Sequence, residues 1–148
     1  MENKSLEEKR FSLWVILWRT ANSVFKVRQK ELGRLGLSVA QSSVLSVVHN
    51  SKNNVTPAEI SRELMRDANT ISELLVNMER DGLLKRVKDL PRKNMIRVEL
   101  TKKGYKTYSK AIGGQSITDM FSVLSEKEQQ QFKSYLSKTM AKALELLK

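Results

Sequence analysis

Gly82 divides this chain into two regimes of hydrophobic spacing, and that change of period constrains the fold more than any other feature. Before it, apolar residues recur every three or four positions. After it, Leu84, Arg86 and Lys88 alternate with Lys85 and Val87, and Ile96, Val98 and Leu100 alternate with Met95, Arg97 and Glu99. A period near 3.6 puts side chains on one face of a helix, and a period of two puts them on one face of a strand. The expected fold class is therefore mainly α with a small antiparallel β-hairpin. The hairpin loop, residues 89–94, is too long for a tight turn and contains Pro91, which cannot donate to a ladder, so a projecting basic loop is expected.

Start and stop signals delimit the helices. Residues 6–32 contain neither proline nor glycine, and Trp14, Leu17, Trp18, Ala21, Val24, Phe25 and Leu32 form the stripe of a long amphipathic helix ended by Gly33 and Gly36. Ser38 caps a second helix with Gln41, Val44, Leu45 and Val48 on its apolar face, and residues 49–54 form a turn cluster. Thr56, Pro57 and Glu59 supply a capping residue, a proline at the first helical position and the partner acid of a capping box, opening a short helix to about residue 64. A helix over 68–80 follows, with Ile71, Leu74, Leu75 and Met78 inward and Gly82 as a left-handed cap. Thr101 caps a helix carrying Tyr105, Tyr108 and Ile112, which Gly113 and Gly114 interrupt or bend. Ser125 and Glu128 open the last helix, with Phe132, Leu136, Met140, Ala143, Leu144 and Leu147 as its buried face.

Composition removes whole classes of function. The chain has no cysteine and one histidine, His49, which excludes disulfides, thiolate metal sites and redox thiols and leaves no ordinary zinc site. It carries no phosphate-cradling glycine loop and no nucleophile in a recognisable motif, so no enzyme and no cofactor is expected. His49 is best read as favourably placed near a helix C-terminus. The N-terminus is densely charged and the apolar run 13–18 is short, so no export signal is expected and the chain is placed in the cytoplasm. Residues 35–51 are uncharged but interrupted by five serines, which fits a half-buried helix and not a membrane span. The 27 Lys and Arg against 16 Asp and Glu give a net charge of +11, which calls for a polyanionic partner, nucleic acid first and an acidic membrane surface second.

The order of elements gives that charge a place to act. Helix, short helix, helix with a polar outer face, then a basic hairpin is the order of a winged helix-turn-helix. Residues 85–97 hold six basic side chains against one acid, Asp89, the footprint of duplex DNA binding or else a merely solvated basic hairpin. The wing lacks interleaved aromatic anchors, which argues against a membrane surface. On the helix over 68–80, Asn69, Thr70, Ser72, Glu73 and Asn77 lie on or flank the open face, where Asn suits adenine and a Thr methyl suits thymine. Glu73 either accepts from cytosine or pairs with Arg66 or Arg80. Arg86, Lys88, Arg92 and Lys93 are the candidate phosphate contacts, with the wing tip entering a narrow minor groove.

Four ordered segments carry a resemblance: Leu37-Ser38-Val39-Ala40-Gln41; Asn69-Thr70-Ile71-Ser72 on to Leu75; Glu79-Arg80-Asp81-Gly82-Leu83-Leu84-Lys85-Arg86; and Val98-Glu99-Leu100-Thr101-Lys102-Lys103-Gly104. Together they resemble the MarR family of bacterial transcription regulators, over nearly the whole chain. The resemblance implies a homodimeric winged-helix protein on a pseudo-palindromic double-stranded DNA operator, usually a repressor, relieved by a small aromatic or phenolic effector. It also implies dimerisation through the first and last helices, so residues 1–36 and 105–148 are read as dimerisation helices flanking a DNA-binding region at 37–104. The wing departs from the family pattern: where an Asp, a variable residue and an Arg are usual, this chain has Arg92-Lys93-Asn94, while the earlier Asp89 is retained. Arg92 or Lys93 replaces the minor-groove arginine from a shifted place. With no cysteine, the peroxide-sensing mechanism of some members is excluded. Trp18 is the candidate ligand-binding residue. The alternative is an architectural or RNA-binding winged-helix protein without effector control.

Overall fold

The computed structural model describes residues 5–89 and 95–148. The element order is α1 Leu6–Gly33, α2 Val39–Asn50, α3 Pro57–Glu63, α4 Ala68–Arg80, β1 Leu84–Val87, β2 Arg97–Leu100, α5 Lys102–Ile112, α6 Gln115–Phe121 and α7 Glu126–Leu146. The chain divides into two compact units, the first through Gly114 and the second from Gln115 onward. Mainly helical structure with one antiparallel hairpin is the class that the change of period predicts.

The start signals act locally, and the structure keeps them. Ser38, Thr56 and Ser125 each accept a hydrogen bond from the backbone N–H three residues on, and the side chains of Gln41, Glu59 and Glu128 return to the cap N–H. Gln41 is thus spent on capping, and the apolar face of α2 is Val44, Leu45, Val47 and Val48, all buried. Gly36 at φ +71° and Gly82 at φ +73° close α1 and α4 in the left-handed region that glycine reaches without cost. After Gly82, Leu83 N–H returns 2.9 Å to Met78 O, and the chain turns into β1.

The core of the first unit gathers α2, α3, α4 and the hairpin around Leu45, Ile60, Ile71, Leu75, Met78, Leu84 and Val98, none more than 1% exposed. The hairpin register pairs Leu84 with Leu100 and Arg86 with Val98. Val55 adds a third short β contact: its carbonyl accepts from Val98 N–H at 2.8 Å. One bridged residue has no period, so sequence spacing did not predict it. Beside it, Asn53 holds φ +61°, its Oδ1 accepts from Leu100 N–H at 3.0 Å, and its Nδ2 donates to the Tyr105 hydroxyl at 2.5 Å. The turn cluster therefore ties α2 to β2 and α5. His49, in the last turn of α2, stacks on Tyr108 with ring centroids 4.2 Å apart.

Helix α5 ends at Ile112, Gly113 caps it at φ −78°, and α6 starts at Gln115, so the glycine pair interrupts the helix as expected. Arg28 of α1 pairs with Glu31 and donates 2.9 Å to the carbonyl of Ala111, closing the end of α5. A Cβ on Gly114 would sit 2.5 Å from Arg28 Nη1 and 2.6 Å from Glu31 Oε2, so a side chain there would displace the ends of this ion pair.

The face of α7 differs from expectation. Phe132, Leu136, Met140, Leu144 and Leu147 are exposed, as is Ala143, and no residue of this helix is buried. Amphipathic spacing identifies a face that wants covering but not whether the same chain covers it. Within the second unit, α6 and α7 shape an apolar hollow of about 590 Å³ lined by Phe121, Phe132, Leu136 and Met140 among others. On α1 only Leu32 is buried, while Phe11, Trp14 and Trp18 form an exposed stacked ladder with centroids 5.6 and 6.5 Å apart.

The seat of α5 is the tightest point of the first unit. A Cβ on Gly104 would lie 1.9 Å from the carbonyl oxygen of Leu83. Gly104→Ala is expected to destabilise the protein by about 3 kcal/mol through forced backbone displacement, whereas Gly113→Ala, whose Cβ would lie 3.4 Å from its nearest neighbour, costs far less. Chemical denaturation of the two variants checks this.

Candidate nucleic-acid interface

Helix α4 is presented by a short turn from α3. Leu64 caps α3, Met65 takes φ +51°, and the Ser61 hydroxyl donates to Arg66 O at 2.5 Å. Asp67 then caps α4: its Oδ1 accepts from Thr70 N–H at 2.8 Å and its Oδ2 from the Thr70 hydroxyl at 2.5 Å. These bonds favour the charged carboxylate and hold Asp67 below its ordinary pKa. The hydroxyl of Thr70 is committed inside the chain, which leaves its methyl as the group on offer.

All five sequence-predicted residues of α4, Asn69, Thr70, Ser72, Glu73 and Asn77, are exposed, opposite or beside the buried Ile71, Leu75 and Met78. Ser72, Glu73 and Asn77 line a shallow hollow together with Val76, which the sequence analysis did not single out. Glu73 pairs with neither Arg66 nor Arg80 among the described residues. Arg80 instead lies 3.8 Å from Asp81.

The base of the wing is more neutral than its sequence suggests. Arg86 donates from Nε at 3.0 Å and Nη2 at 2.7 Å to Glu79, and its backbone N–H reaches the same carboxylate at 3.2 Å. Its cation is thereby compensated, and β1 is pinned to the end of α4. Arg97 forks onto Asp89 at 2.6 and 2.7 Å, reaches Glu99 at 2.6 Å and donates to Asn53 O at 3.1 Å. Lys85 takes the other oxygen of Glu99 at 3.0 Å. Lys88 is exposed and makes no ion pair among the described residues. Arg92 and Lys93 lie outside the described residues. Sequence reasoning missed these pairings because Glu79 and Arg86 are seven positions apart across a turn, and Asp89 and Arg97 eight.

The arrangement has a pH signature. Hydrogen bonds from Arg86 hold Glu79 below its ordinary value, those from Arg97 do so for Asp89, and those from Lys85 and then Arg97 do so for Glu99. Depressed carboxylate values mean that this stabilisation is present above the unfolded pKa and is lost as the pH falls through the folded one. Carboxyl-carbon NMR titration should give midpoints below 4.5 for Glu79 and Glu99 and below 3.8 for Asp89. Arg86→Ala should move Glu79 back up and leave Asp89 unmoved.

The chain makes a solvent-facing helix with groups suited to base edges, braced by a strand pair with cations beside it. Among the described residues no helix is long and apolar enough to cross a membrane, and no group of acids and histidine could hold a metal ion. A model of the MarR family matches residues 35–91. No curated protein matches the chain. Of solved structures, the MepR–DNA complex from S. aureus aligns with TM-score 0.75 and 25% identity, covering 88% of this chain and 97% of that one. The organohalide-sensing RdhR transcriptional regulator with bound 2,4-dichlorophenol aligns with TM-score 0.79 and 24% identity over 99% of this chain and 89% of that one. A mutant MarR from E. coli complexed with operator DNA gives TM-score 0.78 and 19% identity over 92% and 99%.

Proposed function

We propose that this chain is a DNA-binding transcription regulator of the MarR family, whose model matches its winged-helix segment, and that it acts as a homodimer, as a repressor relieved by a small aromatic or phenolic ligand. The observation that carries the DNA-reading half is the exposed polar face of α4 beside the wing. Asn69, Thr70, Ser72, Glu73 and Asn77 read base edges, and Lys88, with Arg92 and Lys93 beyond it, contacts phosphates. Arg86 serves first as the strut between β1 and α4. That MepR, of similar fold, forms a complex with DNA supports DNA binding by this chain.

The homodimer rests on the exposed apolar faces of α1 and α7, considered separately. Phe11, Trp14, Trp18 and Phe25 on one, and Phe132, Leu136, Met140 and Leu144 on the other, are each at least 37% exposed. That is more contiguous apolar surface than a solitary chain leaves in water. A second copy covers both faces, and two copies address the two halves of a pseudo-palindromic duplex. The RdhR regulator bound to 2,4-dichlorophenol supports a phenolic effector, with Trp18 as the candidate aromatic contact. The site of action is the cytoplasm.

Three measurements test this function. Leu136→Asp places a charge on the apolar face of α7 and should convert a dimer to a monomer in sedimentation, with loss of tight duplex binding; an unchanged assembly overturns this interface. Lys88→Ala should weaken specific and random duplexes alike and lower the salt dependence of binding by about one counterion, whereas Arg86→Ala lowers it less because Glu79 already compensates that charge. Protection of a pseudo-palindrome with half-sites about one helical turn apart separates the regulator from an architectural or RNA-binding protein.

A further inference from the structure

The outer face of α4 holds one residue whose chemistry differs from that of its neighbours. Val76 is 47% exposed at the middle of the helix. It shares a shallow hollow with Ser72, Glu73 and Asn77, and Asn69 and Arg80 extend the same stripe at helical spacing. The core does not need it, because Ile71, Leu75 and Met78 fill the opposite face. Helix propensity does not favour it either, since a β-branched side chain loses rotamer freedom there and alanine is better. An apolar branched group set among amide, hydroxyl and carboxylate side chains matches one feature of a major groove. The base edges there offer donors, acceptors and a single apolar group, the C5-methyl of thymine.

We infer that Val76 is a specificity-determining residue that packs on the methyl of a thymine in each half-site, with Ser72 and Asn77 supplying the polar contacts around it. The inference rests on α4 being the DNA-reading helix. Val76 lies on the exposed side of the helix, so contact removes apolar surface of both partners from water. Burial of one methyl-sized group corresponds to about fourfold in affinity per half-site.

The test uses the full chain and the duplex it selects from a random pool. Each thymine of that duplex is replaced in turn by deoxyuridine, which removes the methyl and keeps the hydrogen-bonding edge. The wild-type protein should lose about fourfold at one thymine position per half-site, and Val76→Ala should bind the thymine and uracil duplexes equally. Val76→Thr, which retains one methyl, should keep part of the preference. Circular dichroism and thermal unfolding should show Val76→Ala folded and no less stable than the parent. Two results overturn the inference while leaving DNA reading intact: no uracil position weakens the wild type, or Val76→Ala keeps the full preference. If the pool yields no preferred duplex at all, the DNA-reading function itself falls, and this inference with it.

Discussion

The carbonyls of Gly82 and Leu83 are the point on which the first unit turns. Leu83 O accepts from Thr101 N–H at 3.2 Å, Gly82 O accepts from the Thr101 hydroxyl at 2.5 Å, and Gly104 lies so close to Leu83 O that a side chain has no room. Lys103 adds a bond from its ammonium to Asp81 O at 2.7 Å. The end of α4, the start of β1, the end of β2 and the first turn of α5 therefore meet within a few residues. A buried carbonyl without a partner is costly, so the bonds to Gly82 O and Leu83 O also satisfy main-chain acceptors just past the end of α4. Helix α4, the hairpin and α5 cannot reorient independently while this junction holds.

The distribution of charge around the wing follows from a second requirement, that a two-stranded hairpin be held to something. Two strands alone are marginal in water. The core contributes Leu84, Val98 and Leu100, hydrogen bonds from Val98, Leu100 and Arg97 reach Val55 and Asn53, and ion pairs add to these, with Glu79 gripping Arg86 from α4 and Asp89 closing on Arg97 across the hairpin where the ladder ends. Exposed pairs of this kind stabilise by only about 1 kcal/mol or less each, but they fix direction. The consequence is that much of the positive charge between residues 85 and 97 is internal scaffolding. Net charge brings a chain toward a polyanion, while the unpaired cations determine where it makes contact.

What could be read in the sequence was what is local. The cap at Ser38, the capping boxes at Thr56 and Ser125, the closures at Gly36 and Gly82, and the period of the strands each depend on residues within a few positions, and each appears where the pattern put it, although Gln41, read as part of the apolar face, completes a capping box instead. The exposed face of α4 was legible because its buried stripe is. Pairings across a turn were not, because any of several acids stands within reach of any of several bases, and only the register decides. Val76 was passed over because a single apolar residue on a polar face resembles an ordinary exposed hydrophobe. The apolar spacing of α7 was real, but spacing carries no information on whether its cover comes from the same chain or another.

The N-terminal end of α4 shows how the two requirements meet. A free helix start offers unpaired N–H groups and a positive dipole end to a phosphate. In this chain that end carries Asp67, whose carboxylate occupies the N–H of Thr70 and takes up its hydroxyl as well. The cap makes the helix firm at the cost of turning a favourable phosphate site into an acidic one. On the proposed function, phosphate affinity comes from side-chain cations away from this end, and the face of α4 from Asn69 to Asn77 is left to discriminate among bases with groups that are neutral or, at Glu73, negative. Under that proposal, a helix start built this way contributes little to binding any duplex at random, so the ratio of specific to non-specific affinity rises even though the total does not.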